Sequence, residues 1–120
     1  MKNKFSPEIH TELNEIKYEI QEWKSLFDIE IELYFDGWAI FLREKSVYPR
    51  SITIFKSYEN NTFTIKSFEI HLKEYQKEVF KELYSVEEIK NKNNMLLELK
   101  EIIYGKDLMK NASSLYKANF

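Results

Sequence analysis

Apolar residues recur at spacings of four and three from Ile9 through Leu13, Ile16, Ile20 and Trp23 to Phe27. Positions at those spacings share one face of a helix, so the stripe predicts an amphipathic helix packed on a sheet. Ser6-Pro7-Glu8 supplies its start. Serine can accept from the first free N–H groups, proline lacks the N–H that would have no partner there, and glutamate sits at the positive end of the dipole. From residue 28 the period drops to two: Ile29, Ile31, Leu33 and Phe35 alternate with Glu30, Glu32 and Tyr34. Asp36-Gly37 then reads as a two-residue type I′ turn, followed by a second alternating run to Arg43. That turn sets a register in which Phe35 faces Trp38, Leu33 faces Ile40 and Ile31 faces Leu42. On the other face it pairs Glu30 with Arg43 and Asp28 with Lys45, two opposite-charge pairs that support the register.

Residues 44 to 50 read as a loop, in which Pro49 ends strand continuity. A second hairpin is predicted over Ser51–Tyr58 and Thr62 to about Leu72, turning at Asn60-Asn61, where asparagine tolerates positive φ. Its register sets Tyr58 opposite Phe63, with Ile52, Ile54, Lys56 and Ile65 inward and Phe55 outward. After Ser67 the apolar positions become Phe68, Ile70 and Leu72, a change of phase that a bulge or a strand leaving the first core would produce. Helices then follow by spacing. Leu72, Tyr75, Val79, Phe80 and Leu83 form a stripe on 72–84, and Ser85-Val86-Glu87-Glu88 reads as a capping box. It opens a helix whose apolar face is Val86, Ile89, Leu96, Leu99 and Ile103. Gly105 suits the position after a helix end, and Leu108, Met109, Ala112, Leu115 and Tyr116 allow a short last helix before a fraying tail.

The predicted order is therefore α-β-β-β-β-α-α, with two or three C-terminal helices: an α+β fold with a four-stranded antiparallel meander. Its 120 residues suit a single globular domain spanning 1–120, long enough to bury roughly two-thirds of its unfolded surface. Tyr34, Phe41, Phe55 and Phe68 fall on the outer sheet face, which an isolated sheet shows to water. The preferred reading is that the C-terminal helices cover them as a third layer. Otherwise the face binds something.

Composition narrows the chemistry. Cysteine is absent, which removes disulfide frameworks, thiolate nucleophiles and Cys-ligated zinc, and fits a reducing compartment. The first ten residues contain no apolar run of signal-peptide type, and the longest apolar run, Trp38 to Leu42, is too short to span a membrane, so the chain reads as cytoplasmic. Formal charge is −2, with 18 basic and 20 acidic residues, which supplies no overall field for phosphate. The heavy use of Lys, Asn, Ile, Tyr and Glu suggests an AT-rich genome.

Candidate catalytic groups are sparse. His10 and His71 lie far apart in sequence with no H-x-x-x-H spacing, and the one H-x-x-E spacing, His71 to Glu74, has no second histidine beside it, so no metal site is expected. Glu30 and Glu32 share a strand face, but that spacing alone shifts no pKa. With glycine only at positions 37 and 105, no phosphate loop or dinucleotide fingerprint is present, and Ser113-Ser114 lacks a nucleophile-elbow context. No catalytic residue and no cofactor are expected.

The outer aromatics admit a single-stranded nucleic-acid reading through base stacking, although Glu30 and Glu32 oppose phosphate and no RNP-type motif is present. A small enzyme with an unrecognised carboxylate site is a further alternative. The expectation is instead a non-enzymatic protein-binding module. Tyr34, Phe41 and Phe55 would form its patch, Glu30, Glu32 and Arg43 the charged rim, and another protein its partner. Ala39, small and beside the aromatics, would leave a dent for a partner side chain, and self-association stays open. By analogy of size and composition, stoichiometric inhibitors or neutralisers such as immunity proteins, antitoxins and phage-encoded anti-defence proteins are of this kind.

Overall fold

A computed structural model describes residues 7–73 and 77–108, with side chains placed from 11 to 71 and from 77 to 108. Helix α1 (Pro7–Ile20) runs into a 3-10 turn (Gln21–Trp23). Five strands follow: β1 (Phe27–Tyr34), β2 (Gly37–Glu44), β3 (Arg50–Ser57), β4 (Thr62–Lys73) and β5 (Lys77–Ile89). Helix α2 (Lys92–Ile103) completes the order. Ser6, Tyr75, the side chains of Ile9, His10 and Leu72, and everything from Met109 onward lie outside the described residues. That range takes in Ser113-Ser114 and all of the expected last helix except Leu108.

The strands form one antiparallel sheet in sequence order, β1-β2-β3-β4-β5, an uninterrupted meander. Leu13, Ile16, Ile20, Trp23 and Phe27 are buried, as the opening stripe predicts. They share a single core with Ile40, Leu42, Ile52, Ile54 and Ile65 from the sheet and with Met95, Leu99, Ile102 and Ile103 from α2. Both helices thus pack on the same sheet face. The fold is a two-layer α+β structure, and α2 forms no third layer over the outer face.

The fifth strand corrects the predicted helix over 72–84 and the helix start at Ser85. β5 carries two irregularities against β4. One leaves Leu83 unpaired between Tyr84 (opposite Ser67) and Glu82 (opposite Phe68). The other sets Val86–Ile89 against Ile65–Phe63, with Glu88 at φ 58°. Each bulge adds one residue to β5, so steps of two become steps of three. Val86 and Ile89 thereby reach the inner face three residues apart, a step that a helical stripe shares. The true start of α2 is Asn91, whose side chain accepts from the Asn94 amide at 2.8 Å. Gly105 follows α2 at φ 105°, in the left-handed region expected of it.

Both predicted hairpin registers are off by two residues, which leaves every side chain on its predicted face. Tyr34 pairs with Gly37, so the first turn is Phe35-Asp36 rather than Asp36-Gly37. Leu33 lies opposite Trp38, and Ile31 opposite Ile40. Gly37 has no positive φ. It is required by packing: a Cβ there would stand 2.0 Å from the Lys56 carbonyl oxygen of β3. In the second hairpin Phe63 faces Lys56 rather than Tyr58, and the turn ends on Asn61 at φ 55°. The bulge expected after Ser67 falls in the β4–β5 pairing, between Ser67 and Phe68, with Leu83 as the extra residue, while the β3–β4 register runs through with Ser51 opposite Phe68 and Arg50 opposite Glu69. Phe68 and Ile70 are outer-face residues of an unbroken strand.

Two buried cations tie the layers together. Arg50, 6% exposed, donates to the carbonyls of Ile102 and Ile103 at 2.8 and 3.1 Å. It also donates to Asp107 Oδ1 at 2.8 Å and to Glu44 at 3.1 Å. A cation thereby meets the negative end of α2 and carbonyls of its last turn, of which that of Ile102 also accepts from the Gly105 amide at 3.0 Å. Lys56 reaches Glu12 of α1 at 3.2 Å and sits 4.0 Å from the centroid of the Phe63 ring.

Candidate functional site

Rows across the outer face follow from the register. Glu32, Ala39, Phe55 and Thr64 form one row, Glu30, Phe41, Thr53 and Lys66 the next, and Asp28, Arg43, Ser51 and Phe68 a third. The expected Glu30–Arg43 cross-strand pair is therefore not formed, since Glu30 lies opposite Phe41 and Asp28 opposite Arg43. Asp28 does reach Lys45, at 3.9 Å.

The outer face is a cleft rather than a flat patch. β4 and β5 have 12 and 13 residues against eight in each of the other strands, so their hairpin outruns the sheet beyond the Arg50–Glu69 pair. The Leu83 bulge lies where this extension leaves the sheet, and a bulge bends its strand and adds twist. The extension curls over the outer face. Arg43 of β2 forms an ion pair with Glu78 of β5, with a second contact from Nη1 to Oε1 at 3.2 Å. Phe80, 51% exposed, stands edge-on to Phe68 with ring centroids 6.4 Å apart. Asp28, Glu30, Glu32, Phe41, Arg43 and Phe80 line the resulting space of about 630 Å³, together with Ile29 and Ser51.

Of the residues expected to form a partner-binding patch, Glu30, Glu32, Phe41 and Arg43 meet in this cleft. Phe55 is half-buried one row away beside Ala39, and Ala39 itself is buried rather than an open dent. Tyr34 stands at the turn end of the face and donates its hydroxyl to Glu32. That bond, ahead of burial and charge, pushes the phenol above its ordinary pKa. Phe80, Asp28 and Glu78 are additions to the predicted site. The first and last sit on the stretch read as helix, where spacing alone could not place them over β2. The Glu78 carboxyl is held below its ordinary value, chiefly by the hydrogen bond from Arg43 and further by its charge.

On the inner face a smaller space of about 470 Å³ lies between the end of α1 and β1. Tyr58, half-buried, has its phenol pushed up by burial and then by Glu12, and Glu12 is already engaged by Lys56. His71 is exposed and lies 3.2 Å from Glu69 on the hairpin extension. Among the described residues no three His, Cys, Asp or Glu side chains gather in a metal-binding group, and no helix is long and apolar enough to cross a membrane. Compared with known proteins, the chain matches no family model, no curated protein and no solved structure.

Proposed function

We propose that the protein is a non-enzymatic binding module, a stoichiometric inhibitor or neutraliser that occupies the surface of another protein through its outer sheet face. One observation carries this reading. A cleft with an aromatic floor at Phe41 and an aromatic wall at Phe80, rimmed by charge, opens on the sheet face that neither described helix covers. Aromatics in a partly enclosed setting, ringed by polar groups, are the pattern of an interface centre. The cleft argues against phosphate. It holds three carboxylates, and its one arginine is engaged by Glu78.

Affinity capture from a lysate of the source cell, run with the wild-type protein and with Phe41→Ala and Phe80→Ala, tests the proposal. One partner should be retained at fixed stoichiometry by the wild type. Truncating a central aromatic should weaken that complex by about 2 kcal/mol or more. The reading is overturned if both variants retain the partner as well as the wild type does. Tight, steeply salt-sensitive binding of single-stranded oligonucleotides would overturn it in favour of the nucleic-acid alternative. A turnover activity lost on replacing one carboxylate or histidine would do so in favour of the enzyme.

A further inference from the structure

A meander leaves two edge strands, here β1 and β5, and their chemistry differs. Edge strands display unpaired N–H and C=O groups to any passing chain, so folds blunt them with lysines, bulges and irregular backbone. β5 has all three: Lys77 and Lys81, two bulges, and Glu88 in the left-handed region. β1 has none. Its eight residues, FDIEIELY, pair with β2 in unbroken register and contain no lysine, arginine, proline or glycine. No described residue donates to or accepts from the outer edge of its backbone.

The side chains on β1 are also those of a strand that lacks a neighbour. Ile40, Leu42, Ile52 and Ile54 on the adjoining strands are fully buried. Ile29 and Ile31 of β1 are only half-buried, and Leu33 is 37% exposed. A cleft flanks this edge on each sheet face. The outer one is described above. The inner one, about 470 Å³, lies between the end of α1 and the edge, and its lining includes Ile20, Phe27, Ile29 and Ile31. Asp28 and Ile29 line both.

We propose that β1 is a docking edge to which a partner protein adds an extended segment as a sixth strand, with apolar and basic residues alternating along it. Successive side chains of a strand point to opposite faces. A segment paired with β1 would therefore lay alternate apolar residues beside Ile29, Ile31 and Leu33, and the residues between them beside Asp28, Glu30 and Glu32. Opposite charges across a ladder stabilise it and like charges oppose it. Among the described residues Glu30 has no ion-pair partner, and Glu32 has only the Tyr34 hydroxyl. Charge also excludes a second copy as the occupant. Antiparallel self-pairing about Ile31 sets Glu30 against Glu32, and pairing about Glu30 sets Asp28 against Glu32. Every face-matched register of β1 on itself brings acid to acid or leaves the acids unpaired.

This inference rests on the binding-module reading and specifies the partner's chemistry and its mode of docking. Its test uses the full chain and three synthetic peptides. The first is an eight-residue alternation of valine and lysine. The second is the same peptide N-methylated at alternate residues, so that it keeps its charge but cannot complete a strand ladder. The third alternates valine and glutamate. Binding is followed by backbone amide shifts and hydrogen exchange. The valine–lysine peptide should bind and protect β1 amides, and N-methylation should weaken it by at least about tenfold. Glu30→Lys with Glu32→Lys should transfer the preference to the valine–glutamate peptide, a reversal that loss of folding could not produce. Equal binding of the N-methylated peptide would overturn the proposal, because charge attraction alone would then suffice. Shifts confined to β5 or to the helices, binding of no peptide, or a β1-mediated dimer would overturn it too. A captured partner lost with Phe41→Ala but retained by the Glu30→Lys, Glu32→Lys double variant would overturn the docking edge and leave the binding module standing.

Discussion

Removal of the Arg50 side chain should be among the most damaging single changes in this protein. The guanidinium bonds two carbonyls at the end of α2 and the carboxylates of Asp107 and Glu44, at distances of 2.8 to 3.1 Å. Asp107 has no solvent exposure, and among the described residues its Oδ2 has no hydrogen-bond partner. Arg50→Met keeps most of the apolar stem but leaves a buried carboxylate with no cation beside it. Breaking a buried pair from one side costs about 3–5 kcal/mol. The freed carbonyls of Ile102 and Ile103 do not simply add to that figure, because they belong to the same network. A fold of this length typically has roughly 6–18 kcal/mol of stability, so the variant should still fold at low temperature. Urea unfolding followed by circular dichroism measures the loss, and hydrogen exchange at Ile102–Tyr104 reads the last turn of α2 separately. In a double-mutant cycle, Asp107→Asn should cost about 1 kcal/mol less or better in the Arg50→Met background than in the wild type. A loss below about 1 kcal/mol for Arg50→Met, with unchanged exchange in that turn, would show that solvent satisfies these groups and that the clasp does not hold α2.

Two further outcomes follow from the sheet. Gly37→Ala should cost about 1–3 kcal/mol in urea unfolding, because its Cβ meets the Lys56 carbonyl at 2.0 Å. Gly37→Asn should be no milder, whereas a glycine kept for positive φ would tolerate asparagine well, so a clear advantage of Asn over Ala refutes the close-approach reading. Glu78 has its folded pKa depressed below 4.5 by Arg43, so its contribution to the curled hairpin is present above 4.5 and is lost as pH falls through the folded value. Carboxyl carbon shifts followed over an acid titration should show this, and Arg43→Ala should return Glu78 toward 4.5. An unmoved titration would mean that the two side chains are not paired in solution.

What was legible in the sequence is what depends on one period holding steadily. The stripe from Leu13 to Phe27 is buried as its spacing demands, and the alternation in β1 to β3 assigns each face correctly. Register was not legible to the same degree. A slip of two residues preserves faces, so only the turn distinguishes the alternatives. Asp36-Gly37 resembles a turn dipeptide, although its glycine serves contact with β3. β5 was hidden by a related effect. Each bulge converts a step of two into a step of three, and the resulting spacing of Val86 and Ile89, continued by Leu96, Leu99 and Ile103, reads as helix. A capping-box pattern at Ser85 reinforced the error, since nothing local distinguishes a Ser-x-x-Glu in a strand from one at a helix start. The cleft was lost with β5. Without the long hairpin, Phe80 and Glu78 have no reason to lie over β2.

The hairpin extension and the bare β1 edge also bear on each other. An eight-residue edge free of lysine and proline is a liability for self-pairing, and natural sheets place charge on such edges to suppress it. Asp28, Glu30 and Glu32 meet that need by mutual repulsion between copies. The same three carboxylates line the space closed from above by Phe80 and the Arg43–Glu78 pair. Specificity of this kind needs both halves, an attractive match to the right partner and a built-in penalty for the wrong one. On the proposed docking edge the acids along β1 would supply both, and the curled hairpin would limit the side from which a partner approaches.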